Sequence, residues 1–343
     1  MSTLEIRAPG ALSSIQDAGR RGYRRIGVPW AGALAPQLMR IANRLVGNDE
    51  GAPVIECFGG GLSLAVREGS ARIALTGDAD ARLLRDGEAT PLAPWRSITL
   101  VAGDELRVLG SGRDRAVTLA VAGLECPPQM GSAATYARAG LGGLDGQPLQ
   151  AGARLNAADA AGKAEMVLRK PPERDDEAPI RIVAGPQADH FDDAALGRFA
   201  GSDYRITAEA DRMGMRLDGA ALAHRDAGSR EIISDATVPG SIQVPGNGLP
   251  IVLLADGQTA GGYPKIATVV SADLPRLALR RPGDRVRFEL VTVSEAESLA
   301  RAAETLSRTL LAAIAPLAED GIDLEALYTG NLIGGMVNAL SPD

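Results

Sequence analysis

Histidine, cysteine, lysine and aromatic side chains are all scarce in this chain, and each scarcity removes a class of chemistry. Only His190 and His224 occur among 343 residues, and neither sits in an H-E-x-x-H pattern. Imidazole-based zinc ligation and Ser-His-Asp catalysis therefore have little to work with, and no metal site is expected. The two cysteines, Cys57 and Cys126, are too few for a disulfide framework and too widely spaced for a zinc motif. Both read as small buried hydrophobes. Aromatic residues make up only 3% of the chain, which leaves Val, Leu, Ile and Ala to build the cores. No window approaches ~18 uninterrupted apolar residues, and the start "MSTLEIRAPGALSSIQDAG" lacks the basic and then apolar run of a signal peptide. The expectation is a cytoplasmic protein with no membrane role. A net charge of −7 argues against a surface built to neutralise nucleic-acid phosphates, although Arg20, Arg21, Arg24 and Arg25 form a local basic cluster.

Several phosphate and carrier motifs are missing too. The sequence contains no G-x-x-x-x-G-K-[ST] and no G-x-G-x-x-G opening a helix after a strand, so neither a P-loop nor a Rossmann cradle is encoded. The segment "GKAEMV" (162–167) is not a Met-Lys-Met attachment turn. A covalently carried cofactor would have to sit on another chain or domain.

What is present is a long series of short apolar runs punctuated by 41 glycines and 21 prolines. "ARIALTG" (71–77), "RSITLVAGDELRVLG" (96–110), "RAVTLAVAG" (115–123), "IRIVAG" (180–185), "PIVLLADG" (250–257) and "DRVRFELVTV" (284–293) are bounded by turn residues, which predicts a mainly β protein of barrels or sandwiches. "VAGDELRV" (101–108) and "RPGDRVRF" (281–288) share a Gly-Asp turn followed by alternation, which suggests two similar barrel modules. "AADAAGKAEMVLRKPPERDDEAPIR" (157–181) reads as the linker, with the boundary near 172–178. This divides the chain into 1–175, 176–292 and a helical tail, 293–343.

Two segments show helical spacing. In "APQLMRIANRLVGN" (35–48), Leu38, Ile41, Ala42 and Leu45 share a face, Pro36 lies in the first turn and Gly47-Asn48 stops it. After the last strand, Ser294 and Glu297 match a capping box ahead of Leu299, Ala303, Leu306, Leu310, Ile314 and Leu317, with Pro316 expected to end or kink the helix. This stripe would pack on the protein's own barrel or on a partner.

Four clusters place polar residues among glycines. The first, 14–33, holds Gln16, Asp17 and Arg20; backbone N–H groups beside arginine suit carboxylate or phosphate, and an Asp17–Arg20 pair pinning a surface loop would explain the same residues. The second is Glu56 before Gly59-Gly60-Gly61, a carboxylate beside backbone donors or simply a tight turn. In the third, "EADRMGMRLDG" (209–219), even spacing would put Arg212 and Arg216 on one strand face. The fourth surrounds "GQTAGGYPK" (257–265), where Gln243, Asp256, Gln258, Thr259, Gly261, Gly262, Tyr263 and Lys265 gather in or beside one loop. Lys265 is one of only three lysines, with Lys163 and Lys170, and offers a mobile point charge for an anion.

At this loop the sequence resembles a known family. "GSIQVPGNGLPIVLLADGQTAGGYPKIATVVSADLPRLALRRPGDRVRF" (240–288), with "DRMGMRLDG", "GPQADHF", "TYARAGLGGLDGQPLQAGARL" and "SIQDAGRRGYRRIGVPWAGALAPQLMRIANRLVGN" upstream, is similar to biotin-dependent carboxyltransferases, also called allophanate hydrolase subunit 2 or KipA-like proteins. The resemblance implies two linked cyclophilin-like β-barrel modules and a partner chain of the KipI-like, subunit 1 type. Its foremost functional implication is a subunit of an ATP-dependent amide or lactam hydrolase of the 5-oxoprolinase type, using ATP, as Mg-ATP, with a LamB/YcsF-like subunit as a further partner. Alternatives are a biotin-dependent carboxyltransferase acting on urea or a related amide, and a non-catalytic KipA-like regulatory partner. On the first reading Lys265, Asp256 and Tyr263 are the catalytic candidates, and the other cluster residues bind substrate or nucleotide. Many relatives carry Ser-Gly-Ala-Met-Asp where this chain has Ala31-Gly32-Ala33-Leu34-Ala35, so a carboxylate is missing at position 35.

Overall fold

The computed structural model describes residues 1–160 and 164–317. The alternation read from the sequence becomes two packed sheets and one closed barrel. The six-stranded sheet runs in the order Arg154–Ala157, Ser2–Pro9, Leu62–Glu68, Glu105–Gly110, Asp80–Arg85, Glu88–Pro91. The five-stranded sheet runs Leu12–Gln16, Val54–Phe58, Ala116–Val121, Ser70–Thr76, Ser97–Val101. Leu4, Ile6, Leu64 and Leu106 of the first sheet meet Ile15, Ile55, Ile73 and Leu119 of the second in one buried cluster. Each such side chain removed from water contributes roughly 1.5–3 kcal/mol.

Seven strands close the barrel: Ile180–Ala184, Lys265–Val269, Ser241–Gln243, Ile251–Leu253, Gly214–Gly219, Asp203–Ala210 and Arg285–Leu290. Aromatic side chains, few as they are, concentrate here: Phe191, Phe199, Tyr204 and Phe288 lie in its core, and Phe58 of the first module packs against it. Aliphatic residues alone therefore do not build the barrel core. Phe199 stacks on Phe288 with ring centroids 4.4 Å apart, a geometry that adds to simple area burial.

The two Gly-Asp turns are built alike. Gly103 and Gly283 both take left-handed φ, 98° and 95°. In each turn the Asp carboxylate accepts the N–H three residues earlier, Val101 to Asp104 at 2.9 Å and Arg281 to Asp284 at 2.8 Å. The segment read as a linker is pinned rather than loose: Arg276 donates to the carbonyls of Asp175, Ala178 and Pro179.

The helix Pro36–Val46 forms where its spacing predicts, with Leu38, Ile41, Ala42 and Leu45 buried and Gly47 left-handed at its C-cap. The long helix, Val293–Ala312, departs from expectation in three ways. Its capping box is Thr292 with Glu295, not Ser294 with Glu297: Glu295 N–H donates to Thr292 Oγ1 at 3.2 Å, and Thr292 N–H donates to Glu295 Oε2 at 2.8 Å. Both pairs have the required spacing, and the last strand's end at Leu290 selects the earlier one. Leu306, expected in the apolar stripe, is exposed, while Ser307, Leu310 and Leu311 are buried. The helix ends before Pro316, which instead pairs with Met166 in a two-residue ladder. Leu310 and Leu311 pack with Ile41 and Leu45 of the first helix, and Arg40 reaches Glu304 at 2.8 Å, so this end of the helix docks on the first module instead of the barrel. The remainder of the anticipated tail, 318–343, and Lys163 lie outside the described residues.

Candidate functional site

The polar residues singled out in the sequence separate into two groups. The first is a lock between the modules, centred on Arg212, which is 6% exposed. Its Nε and Nη2 each lie 3.0 Å from an oxygen of Asp256, Nη1 donates to Glu56, and Nη2 also reaches Gly32 O at 2.6 Å. Burial opposes the charge on Arg212, but Asp256 and Glu56 more than offset it and hold its pKa above the ordinary arginine value. The other oxygen of Glu56 accepts Leu34 N–H at 2.9 Å, and Gln16 Oε1 accepts Gly32 N–H at 3.1 Å. Gly32 is required here: its φ is +83°, and a Cβ would sit 2.9 Å from Asp17 O.

Asp17 and Arg20 do not pair with each other; both tie the 14–33 loop to 129–135. Asp17 accepts from Ser132 Oγ and Ala133 N–H, each at 2.6 Å, while Arg20 donates to the carbonyls of Gln129, Ser132 and Ala134. Burial lowers the pKa of Arg20, with Asp17 partly opposing. Arg216 is a correction. The strand begins at Gly214, so Arg212 lies in the preceding turn. Arg216 instead faces outward and pairs with Glu209 at 2.5 Å. A shared face would require a strand reaching back to 212.

Sequence reasoning missed Arg115, a second buried arginine at the junction. It donates to Ala278 O at 2.7 Å and Asp211 O at 3.0 Å and lies over the Phe58 ring. Burial, with a smaller opposing effect from Glu56, pushes its pKa down to about 10. A small cavity of about 170 Å³ opens beside the lock between Gln16, Thr135, Tyr136, Arg138, Arg212 and Asp256. A larger one of about 620 Å³ lies elsewhere, between Leu38, Trp95, Arg113 and the linker. Ala35, where the resemblance marks a missing carboxylate, is the N-cap of the helix Pro36–Val46 and makes no side-chain cap bond.

The second group surrounds Lys265, the first residue of its barrel strand. Its side chain is 3% exposed, and Nζ lies 2.7 Å from Asp235 Oδ2. Gln187 Nε2 donates to the same oxygen at 3.1 Å, and Gln187 Oε1 accepts Lys265 N–H at 3.2 Å. Lys265, followed by the Ala236 N–H and Gln187, holds the Asp235 carboxyl below its usual pKa. Alongside, Gln258 Nε2 donates to Gln243 Oε1 at 2.8 Å, and Gln243 Nε2 donates to Tyr263 O at 3.3 Å. Gly261 fits tightly against this pair, since a Cβ there would meet Gln243 Nε2 at 2.5 Å. The Gly262 carbonyl accepts from Ile232, the Thr259 carbonyl accepts from Thr237, and Tyr263 is exposed at the rim. Arg24 bridges the carbonyls of Thr237 and Gln258 and, with Arg21, stacks on Trp30.

The structure thus gathers Lys265, Gln243, Gln258, Gly261, Gly262 and Tyr263 at one place and assigns Asp256 to the lock, with both its oxygens on Arg212. Asp235 and Gln187 were not foreseen. They stand 30 and 78 residues from Lys265; the barrel brings Gln187 to it, and the ladder of Asp235–Ala236 with Ala260–Gly261 brings Asp235.

Fold and loop together define a carboxyltransferase-type domain. The chain belongs to the family described as "Carboxyltransferase domain, subdomain A and B", which matches residues 26–290. It is 37% identical over 302 residues to the C subunit of 5-oxoprolinase from Escherichia coli K12, an alignment covering 85% of this chain and 93% of that one. The corresponding protein of Haemophilus influenzae is 35% identical over 291 residues, covering 84% and 91%. In structure the chain resembles the K. lactis urea amidolyase, with a TM-score of 0.81 and 25% identity over 93% of this chain. It spans only 20% of that much longer protein.

Proposed function

We propose that this chain is one subunit of an ATP-dependent amide or lactam hydrolase of the 5-oxoprolinase type, opening 5-oxoproline to glutamate in the cytoplasm together with a KipI-like partner and a LamB/YcsF-like subunit. The observation that carries this reading is the 37% identity to the 5-oxoprolinase C subunit over 93% of its length. The buried Lys265 is consistent with it, being an ammonium placed to hold a phosphate or carboxylate in a water-poor setting. In such a reaction the lactam carbonyl oxygen is phosphorylated by ATP, which leaves as ADP; water attacks the activated carbon, the ring C–N bond breaks with the nitrogen taking up a proton, and inorganic phosphate is released.

This chain's residues supply binding and orientation. Lys265 holds the anion, the Gln243–Gln258 pair fixes the loop that carries Gly261 and Gly262, and Tyr263 meets the amide at the rim. Asp256 and Glu56 act through Arg212, keeping the 14–33 loop against the barrel.

Likeness to the urea amidolyase favours one second reading, carboxyl transfer from a biotin borne by another chain to urea or a related amide. Co-expression with both partners, followed by ATP-hydrolysis assays with 5-oxoproline, and with urea once a biotin carboxylase and its biotin carrier are added, separates the two. Turnover with 5-oxoproline is expected; a complex that assembles yet hydrolyses ATP with neither substrate would overturn the proposal.

A further inference from the structure

Lys265 and its partner meet from opposite environments. The lysine and Gln187 are rooted in the barrel, one at a strand start and the other in a turn whose backbone N–H bonds to Lys265 O at 3.3 Å. Asp235 comes from outside, on the two-residue strand Asp235–Ala236 that pairs with Ala260–Gly261, and its side chain is 49% exposed against 3% for the lysine. Two donors converge on the single oxygen Asp235 Oδ2. The Gln187 amide cannot turn its acceptor end that way, because its Oε1 is already fixed by Lys265 N–H.

The energetics of this pair are lopsided. Leaving the pair costs Asp235 its bonds from Lys265 and Gln187, but its half-exposed carboxylate regains water in exchange. The ammonium left behind stays buried, and a buried unpaired charge costs several kcal/mol. Another anion in the same position relieves that cost by meeting the same two donors, so this asymmetry favours exchange of the anion over an empty site.

We propose that Asp235 is the resident placeholder of an oxyanion cradle formed by Lys265 and Gln187, and that a carboxylate or phosphate group of the substrate takes its place on binding. The cradle rests on geometry alone; only its assignment to a substrate rests on the hydrolase reading. The two donors suit one oxygen of either group.

The test is equilibrium binding to the free chain at constant ionic strength, with inorganic phosphate, 5-oxoproline and the neutral lactam 2-pyrrolidinone as probes. Removing the internal competitor with Asp235→Ala is expected to tighten binding of phosphate or 5-oxoproline by about tenfold, and whichever gains more identifies the source of the anion. 2-Pyrrolidinone is expected to gain nothing. Asp235→Asn, which keeps the side-chain shape, gives the same direction if the alanine variant does not fold. The double variant Lys265→Met/Asp235→Ala is expected to lose the gain. No tightening in either Asp235 variant, or a gain that survives loss of the lysine, would overturn the proposal. Because the readout is binding to the free chain, it is independent of whether the assembled complex opens a lactam.

Discussion

Arg212 shows how much one residue can hold. Its guanidinium engages two carboxylates and a carbonyl, so removing it strands Glu56 and Asp256 in a buried setting. Arg212→Met is expected to cost about 3–5 kcal/mol, read as a lower urea midpoint. Arg212→Lys should recover only part of this, since an ammonium cannot reproduce the two-pronged contact with Asp256. Asp273 carries a pH dependence. Burial alone would raise its pKa, but the side chain and backbone N–H of Arg181 more than compensate and hold it below the ordinary value. A carboxyl with a depressed folded pKa contributes stability that is complete above the unfolded value, near ~3.9, and is lost as pH falls through the lower folded value. Unfolding midpoints measured across the acid limb should therefore fall for the wild type and be flatter for Asp273→Asn.

At the scale of elements, short-range signals were legible and choices among equivalent signals were not. The helix Pro36–Val46 and the two Gly-Asp turns follow from spacing and glycine alone. The start of the long helix was ambiguous because Thr292-x-x-Glu295 and Ser294-x-x-Glu297 satisfy the same rule, and the strand before it decided between them. Its docking was hidden as well, since Leu310 and Leu311 find partners far upstream, on the first helix. Leu311→Ala is expected to cost about 2–3 kcal/mol and to speed hydrogen exchange in the last turns of that helix, while leaving the barrel strands protected. Ala35 makes no side-chain cap bond, but it is 4% exposed beside Leu38, Ala116 and Leu279. An aspartate cap in the open gains about 1 kcal/mol, and burial of the carboxylate offsets that gain, so Ala35→Asp is expected to leave the thermal midpoint level or lower it; a clear rise would mean that capping outweighs burial.

Across the whole molecule, the residues legible as a site were those lying close together in the chain. Gln243, Gln258, Tyr263 and Lys265 flank one loop, so composition and turn chemistry marked them. Gln187 reaches Lys265 through the barrel, Asp235 through the ladder with Ala260–Gly261, and Arg115 reaches the Arg212 junction through contact between the sheets and the barrel, none of which a local pattern encodes. Arg212, Arg115, Leu34 and Phe58 all cross the junction between modules. The loop beside the first sheets is thereby held against the barrel that carries Lys265, and binding and orientation fall to that assembled face. The most direct test of this claim is ATP-coupled opening of 5-oxoproline by the reconstituted complex, comparing wild type with Lys265→Met and confirming equal assembly of both. Turnover by the wild type is expected, with a loss of about 10²–10³-fold in kcat for the variant. Undiminished turnover by an intact Lys265→Met complex would contradict the role given to the lysine.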